Sequence, residues 1–181
     1  MNITEGIQSR RSIRKFKPGA VSHAEIEQIV ALSAYAPSWK NSQTARYIVI
    51  EDKGMIQKIA DEAVMGFAHN RTIVSECSTL VVLASVAKRC GYERDGSYST
   101  SKGDKWEMFD AGIAAQTFML AAHELGIGTV VLGIFDEEKV REIIDLPEDK
   151  NVSALIAVGY PVEEPAAPKR KCVEELLEYK R

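Results

Sequence analysis

Arg10, Arg11, Arg14 and Lys15 fall within the seven residues RRSIRKF, residues 10–16, of a chain whose formal net charge is -3. With Ser12 among them, they could fork guanidinium groups onto phosphate oxygens and add a hydroxyl hydrogen bond. Three kinds of site use such a cluster. One is a solvated helix end, where cations favour the negative end of the dipole. Another is a nucleic-acid surface, where arginines neutralise backbone phosphates. The third is a pocket for a single phosphate on a small ligand. Beyond the first twenty residues the basic side chains are scattered among more numerous acids, with no basic groove interleaved with aromatics, so a nucleic-acid partner is not expected. The seven residues alone do not choose between the other two.

A second polar constellation follows in APSWKNSQ, Ala36 to Gln43, where Pro37 fixes a turn and Ser38, Asn41 and Gln43 offer hydroxyl and amide groups. Other chemistries lack their residues. Cys77, Cys90 and Cys172 are odd in number and show no CxxC spacing, so they read as reduced thiols rather than a disulfide framework or zinc site. His23, His69 and His123 lie far apart without i, i+4 spacing, and read as surface or capping histidines; no metal is expected. Gly126, Gly128 and Gly133 do not fit GxGxxG, so no dinucleotide pyrophosphate is cradled stably.

These groups must be positioned by one core. The chain has 181 residues, 45% of them apolar and 27% charged, which predicts a single domain over 1–181. Its longest apolar stretches fall short of the roughly 18 to 20 residues that span a bilayer, so no membrane partner is expected. The N-terminus MNITEGIQSRR is polar where a secretory signal is apolar, and the expected location is the cytoplasm.

Ser22 and Glu25 form a capping box that opens a helix, carried by Ile26, Ile29, Val30 and Leu32 and ended before Pro37. Residues 46–51 read as a strand, and a helix from Asp52 follows through Ala63. The stretch 79–86 is apolar on both faces, as a central strand is. Residues 88–105, with three glycines, read as a long loop or lid. The span 104–125 predicts a long helix buried around most of its circumference. Strands at 129–134 and 151–160 bracket a short helix capped by Asp136. Pro161, Pro165 and Pro168 make an extended tail, ending in an amphipathic piece over 173–180. Helices and strands in this order suggest a sheet with helices on its faces, in an order the sequence leaves open.

Taken in order, RRSIRKF, APSWKNSQ, DAGIAAQTFMLAAHELGIGT (110–129), LGIF, GYP (159–161) and PKRK (168–171) resemble the motifs of the nitroreductase family of FMN-dependent oxidoreductases, over essentially the whole chain. The resemblance implies an α+β fold with a central, mostly antiparallel sheet flanked by helices, in a homodimer with the flavin at the interface. Arg10, Arg11, Ser12 and Arg14 would meet the phosphate and the pyrimidine side of FMN, and Arg170 with Lys169 would reach the same phosphate. Pro37, Ser38, Asn41 and Gln43 would pack on the flavin of the opposite subunit. Val131, Leu132 and Gly133 would bring backbone N–H toward flavin N5, and Asn70 matches a polar residue near the ring in some relatives. The tail from about 161 to 181 would pack on the partner subunit.

In that reading the flavin carries the chemistry and no side chain is a catalytic residue. NADH or NADPH would visit transiently, alternating with a small acceptor such as a nitroaromatic or quinone. Thr44 and Ala45 stand where many relatives have Pro-Trp, and Val131 and Leu132 where many have a proline and an acidic or aromatic residue, which leaves the acceptor open. Two alternatives remain at this stage: a related flavoenzyme performing dehalogenation or flavin fragmentation, and a non-catalytic module for a phosphate ligand or nucleic acid.

Overall fold

The computed structural model describes residues 1–180. Among them six α-helices and four strands follow one another: α1 (Ile3–Ser9), α2 (His23–Ser33), β1 (Ala45–Ile50), α3 (Lys53–Glu62), α4 (Ala68–Glu76), β2 (Thr79–Val86), α5 (Lys105–Glu124), β3 (Gly128–Leu132), α6 (Glu137–Ile143) and β4 (Lys150–Gly159). The strands make one antiparallel sheet in the order β1-β2-β4-β3. The expected α+β architecture, a mostly antiparallel sheet flanked by helices, is the one observed.

Alternation along the central strands divides the core in two. Val81 and Leu83 of β2 and Ile156 and Val158 of β4 face α2 and α5, where Ile26, Ile29, Ala115 and Phe118 cover them. Leu80, Val82 and Ala84, with Leu155 and Ala157, face α3, α4 and α6 through Ile56, Ile59, Ile73, Val74 and Val140. A register shift between Leu83 and Ala84 lets Val152 join the second layer although Ala154 lies in the first. Beside this β-bulge the buried hydroxyls of Ser85 and Ser153 bond to each other at 2.9 Å, so the irregularity leaves neither unpaired.

Helix α5 runs 20 residues, about 30 Å, across the sheet. Ala111, Ala114, Ala115, Phe118, Ala121 and Ala122 are buried, whereas Met108 and Phe109 stay 57% and 59% exposed. One chain therefore buries less of this helix than its composition predicts. Two helices escaped the sequence reading, α1 and α4. The first is opened by a capping box of Asn2 and Glu5, and the second has no side-chain cap. Helix α1 ends at Ser9 with Arg10 as its C-cap, so of RRSIRKF only Arg10 sits at a helix end.

The rest of RRSIRKF runs extended along the sheet. Ile13 N–H donates to Thr129 O at 3.0 Å, Lys17 N–H to Tyr160 O at 2.8 Å, and Val162 N–H to Lys15 O at 3.2 Å. Ile13 is buried and packs over Gly128, while Phe16 packs over Gly159. With these two side chains turned inward, the guanidinium groups of Arg10, Arg11 and Arg14 are left to line the surface. The segment 88–105 is shaped by internal bonds, among them Ser99 N–H to Gly91 O at 2.9 Å and a bridge between Tyr92 and Tyr98. Among the described residues of the tail only Val173–Glu175 forms a helical turn, shorter than the amphipathic piece expected over 173–180.

Candidate functional site

The two ends of the chain meet at a cleft of ≈ 290 Å³ lined by Arg10, Arg11, Ser12, Arg14, Pro165, Ala166, Pro168 and Arg170. Four arginines line it, and among the described residues every ion pair is made by other cations. Arg11 Nη1 donates to the Gln8 and Arg10 carbonyls at 2.7 and 2.9 Å, and Arg170 Nη1 to the Pro168 carbonyl at 3.3 Å, which leaves other donors of both guanidinium groups unused. Burial, followed by the repulsion of Arg11 and Arg170, depresses the Arg10 pKa. Arg10 and Arg11 are partly buried and Arg14 and Arg170 exposed, and like charges gathered without an ion pair are an electrostatic cost that a bound anion removes. Lys169, expected to help Arg170, is exposed and does not line this cleft.

Arg14 also lines a second cleft, of ≈ 440 Å³, with Phe67, His69, Asn70, Ile73 and the run Val130–Ile134. The two clefts therefore adjoin at one side chain. Asn70 is buried on α4, and its Nδ2 donates to the Ile134 carbonyl at 3.2 Å, fixing the chain just after Gly133. A Cβ placed on Gly133 would meet nothing within 4 Å, so space lies open beside this backbone. Val131, Leu132 and Gly133 all border it, and Asn70 lies beneath the same segment. Phe67 is not singled out by the sequence, and His69 reads there only as a surface or capping histidine, because nothing local marks a residue at the start of an uncapped helix.

Pro37, Ser38 and Gln43 line a third pocket, of ≈ 290 Å³, with Tyr47 and Asp110. It shares no residue with the other two clefts. The loop above it is strained. Lys40, Asn41 and Gln43 take φ values of 46°, 55° and 49°, in the left-handed region that residues with a side chain seldom enter. Ser38 Oγ accepts the Gln43 N–H at 2.9 Å, and Asn41 Oδ1 accepts the Gln43 amide at 3.3 Å. Asn41 is exposed and lines none of the three pockets.

The loop's anchor is Asp110, a buried acid within the apolar stretch of α5. Its Oδ2 accepts the Trp39 N–H at 2.7 Å and the Cys90 thiol at 3.0 Å. Burial, with the Asp110 carboxylate beside it, pushes the Cys90 pKa up to about 12. Sequence reading placed Asp110 only inside a motif. An acid set against the apolar run that follows it in an alanine-rich helix was the available signal that something must bond to it.

Among the described residues no group of three His, Cys, Asp or Glu comes together to hold a metal. No described helix is long and apolar enough to cross a membrane. The site's resources are thus a cationic cleft, an adjoining open cleft bordered by main chain, and a strained polar loop elsewhere on the surface.

Residues 7–160 match the model of the nitroreductase family. A protein of Archaeoglobus fulgidus, named as a candidate NADH dehydrogenase/NAD(P)H nitroreductase, is 31% identical over 162 residues, 87% of this chain and 84% of that one. An FMN reductase [NAD(P)H] of Bacillus subtilis is 24% identical over 177 residues, 93% of this chain and 69% of that one. The crystal structure of a nitroreductase family protein from Clostridium novyi superposes with a TM-score of 0.77 at 27% identity, covering 93% of this chain and 89% of that one.

Proposed function

The chain belongs to the nitroreductase family, and from that premise we propose that it is a homodimeric, FMN-dependent oxidoreductase moving hydride from NADH or NADPH to a small acceptor such as a nitroaromatic or a quinone. The observation that carries this reading is one cleft lined by Arg10, Arg11, Arg14 and Arg170, none of them in an ion pair, beside an open cleft at Val131–Gly133. The names of relatives, NAD(P)H nitroreductase and FMN reductase, agree with it. When bound, FMN takes up the hydride and hands it on in alternating half-reactions.

The chain's own part is placement and electrostatics. Arg10, Arg11, Ser12 and Arg170 would hold the phosphate, and Arg14, which lines both clefts, would hold the cofactor where they adjoin. The backbone of 131–133, free of a side chain at Gly133, lets a flat ring lie close and offers N–H donors to it. Asn70 holds that backbone in place.

A second copy completes the site. One chain keeps the Pro37–Gln43 loop apart from the arginine clefts. It also leaves apolar surface bare at Ile3 (79% exposed), Phe109 (59%), Leu176 (72%) and Tyr179 (77%). A dimer that covers this surface and lays the tail from about 161 onto the partner brings the partner's loop to the flavin.

The test is direct. The purified protein should be a yellow dimer with one FMN per chain, bleached anaerobically by NADH or NADPH and recoloured by a quinone or nitroaromatic. A folded protein that takes up no FMN overturns the reading, and one that binds FMN without reduction by either nucleotide reduces it to a binding module.

A further inference from the structure

We propose that His123 is a positioning residue of the arginine site, one that tightens the hold on a phosphate dianion when it gains a proton. The inference rests on the reading that these arginines hold the FMN phosphate. A cleft of ≈ 470 Å³ shares Arg10, Arg11 and Pro165 with the phosphate cleft and adds Ser9, His123, Glu124 and Glu164. His123 Nε2 lies 2.7 Å from Ser9 Oγ, and that hydroxyl also lies 2.7 Å from the Glu5 carbonyl. A hydroxyl has one proton to give, and the carbonyl can only accept it. Ser9 Oγ therefore accepts from His123, so Nε2 carries hydrogen and Nδ1 is the nitrogen that titrates. Ser9 immediately precedes Arg10, the C-cap of α1, so the imidazole braces the turn that aims Arg10.

The charges facing His123 are Arg10 at the end of α1, Arg11 from the extended segment, Glu164 from the tail and Glu124 from its own helix. Glu124 is also paired with the N-terminal amine at 3.2 Å. Burial first, and then Arg10, hold the imidazole below its ordinary pKa, so with the arginines bare it is neutral at neutral pH. A dianion among the arginines offsets their repulsion and draws a proton onto Nδ1. By reciprocity, that proton strengthens anion binding. The second ionisation of the phosphate itself, at a pKa of about 6, works in the opposite sense. Inorganic sulfate, doubly charged throughout, separates the two.

Sulfate is titrated as a competitor of FMN from about pH 5 to about pH 8, the range in which histidine changes charge. The wild type should hold sulfate about threefold to tenfold more tightly at the acid end. His123→Gln, which keeps an amide donor near Ser9, should flatten that profile. His69 in the ring cleft is present in both proteins and cancels in the comparison. Parallel sulfate profiles in wild type and variant overturn the proposal. In the unsubstituted protein, the His123 ring signal in NMR should titrate at higher pH once FMN is added, and an unmoved midpoint overturns it as well. The cofactor reading fails separately: if Arg10→Gln leaves FMN affinity unchanged, that reading falls and takes this one with it, whereas an intact Arg10 effect with parallel profiles removes His123 alone.

Discussion

Ile13 occupies the space where a side chain on Gly128 would have to stand: a Cβ there would lie 2.7 Å from Ile13 Cγ1 and 2.8 Å from its Cβ. The contact is between a buried branched side chain and the start of β3, so neither partner is free to swing aside. Gly128→Ala should therefore push the 10–17 segment off the sheet. The expected cost is about 1 to 3 kcal/mol, the usual range for overpacking, together with weaker FMN binding because Ser12 and its arginine neighbours move with Ile13. Thermal melts with and without FMN check both parts.

Arg10→Gln and Arg170→Gln should each weaken FMN binding by about tenfold to a hundredfold, the worth of a charge-assisted hydrogen bond. Without flavin the sign reverses. Arg10 lies under the repulsion of Arg11 and Arg170, so removing its charge should leave the apoprotein at least as stable as the wild type. Melting curves separate the two effects, since the shift produced by saturating FMN shrinks in the variants while the apo midpoint does not fall.

The thiols give a simpler check on burial. Cys77 and Cys90 are buried with pKa values pushed up to about 12, while Cys172 is exposed in the tail. A disulfide reagent at mildly alkaline pH needs the thiolate. It should modify Cys172 alone in the folded protein, and all three cysteines in denaturant. Asp110→Asn should leave the folded pattern unchanged, because burial is the first cause of the shift at Cys90. Rapid modification of Cys90 in that variant would mean that the loop held at Trp39 has opened.

Glu107 supplies a pH dependence with a definite sign. Burial raises its pKa despite the bond from Asn151 Nδ2 at 2.9 Å. An acid whose folded pKa exceeds its unfolded value favours the folded state at low pH, and the advantage is lost as pH rises through the folded pKa. Glu107→Gln keeps an oxygen for Asn151 and carries no charge. Its melting temperature should exceed that of the wild type at neutral pH, and the gap should close at pH values below the ordinary carboxylate range. A gap that is constant with pH would show that the carboxylate is not the titrating group.

What could be read from the chain follows the range over which each feature is encoded. β2 was legible as Thr79–Val86 because an uninterrupted apolar run between polar flanks is a local signal. The arginine cluster was legible for the same reason, as a short motif. Helix α1 was missed although Asn2 and Glu5 carry its capping box, since its exposed Ile3 and Ile7 show no buried stripe. The register shift beside Ser153 depends on which strand lies opposite, which no local pattern states. His123 was set among bland histidines because its partner, Ser9, is 114 residues away in sequence and adjacent only after α1 docks against α5.

The shared character of the site can be tested by mixing damaged copies. If each flavin takes its arginines from one chain and the Pro37–Gln43 loop from the other, an Arg10→Gln/Arg170→Gln protein and a Ser38→Ala/Gln43→Gly protein are each defective at both sites of their own dimers. Glycine at 43 tolerates the φ of 49° found there, so the loop substitution removes contacts without adding strain. After subunit exchange, about half of the dimers are mixed. In each of these, one site collects both damaged parts while the other is wild type throughout. NAD(P)H-dependent turnover should then recover to about one quarter of the wild-type value. Were arginines and loop to serve the same flavin from one chain, every site in a mixed dimer would carry one lesion or the other, and mixing would restore nothing.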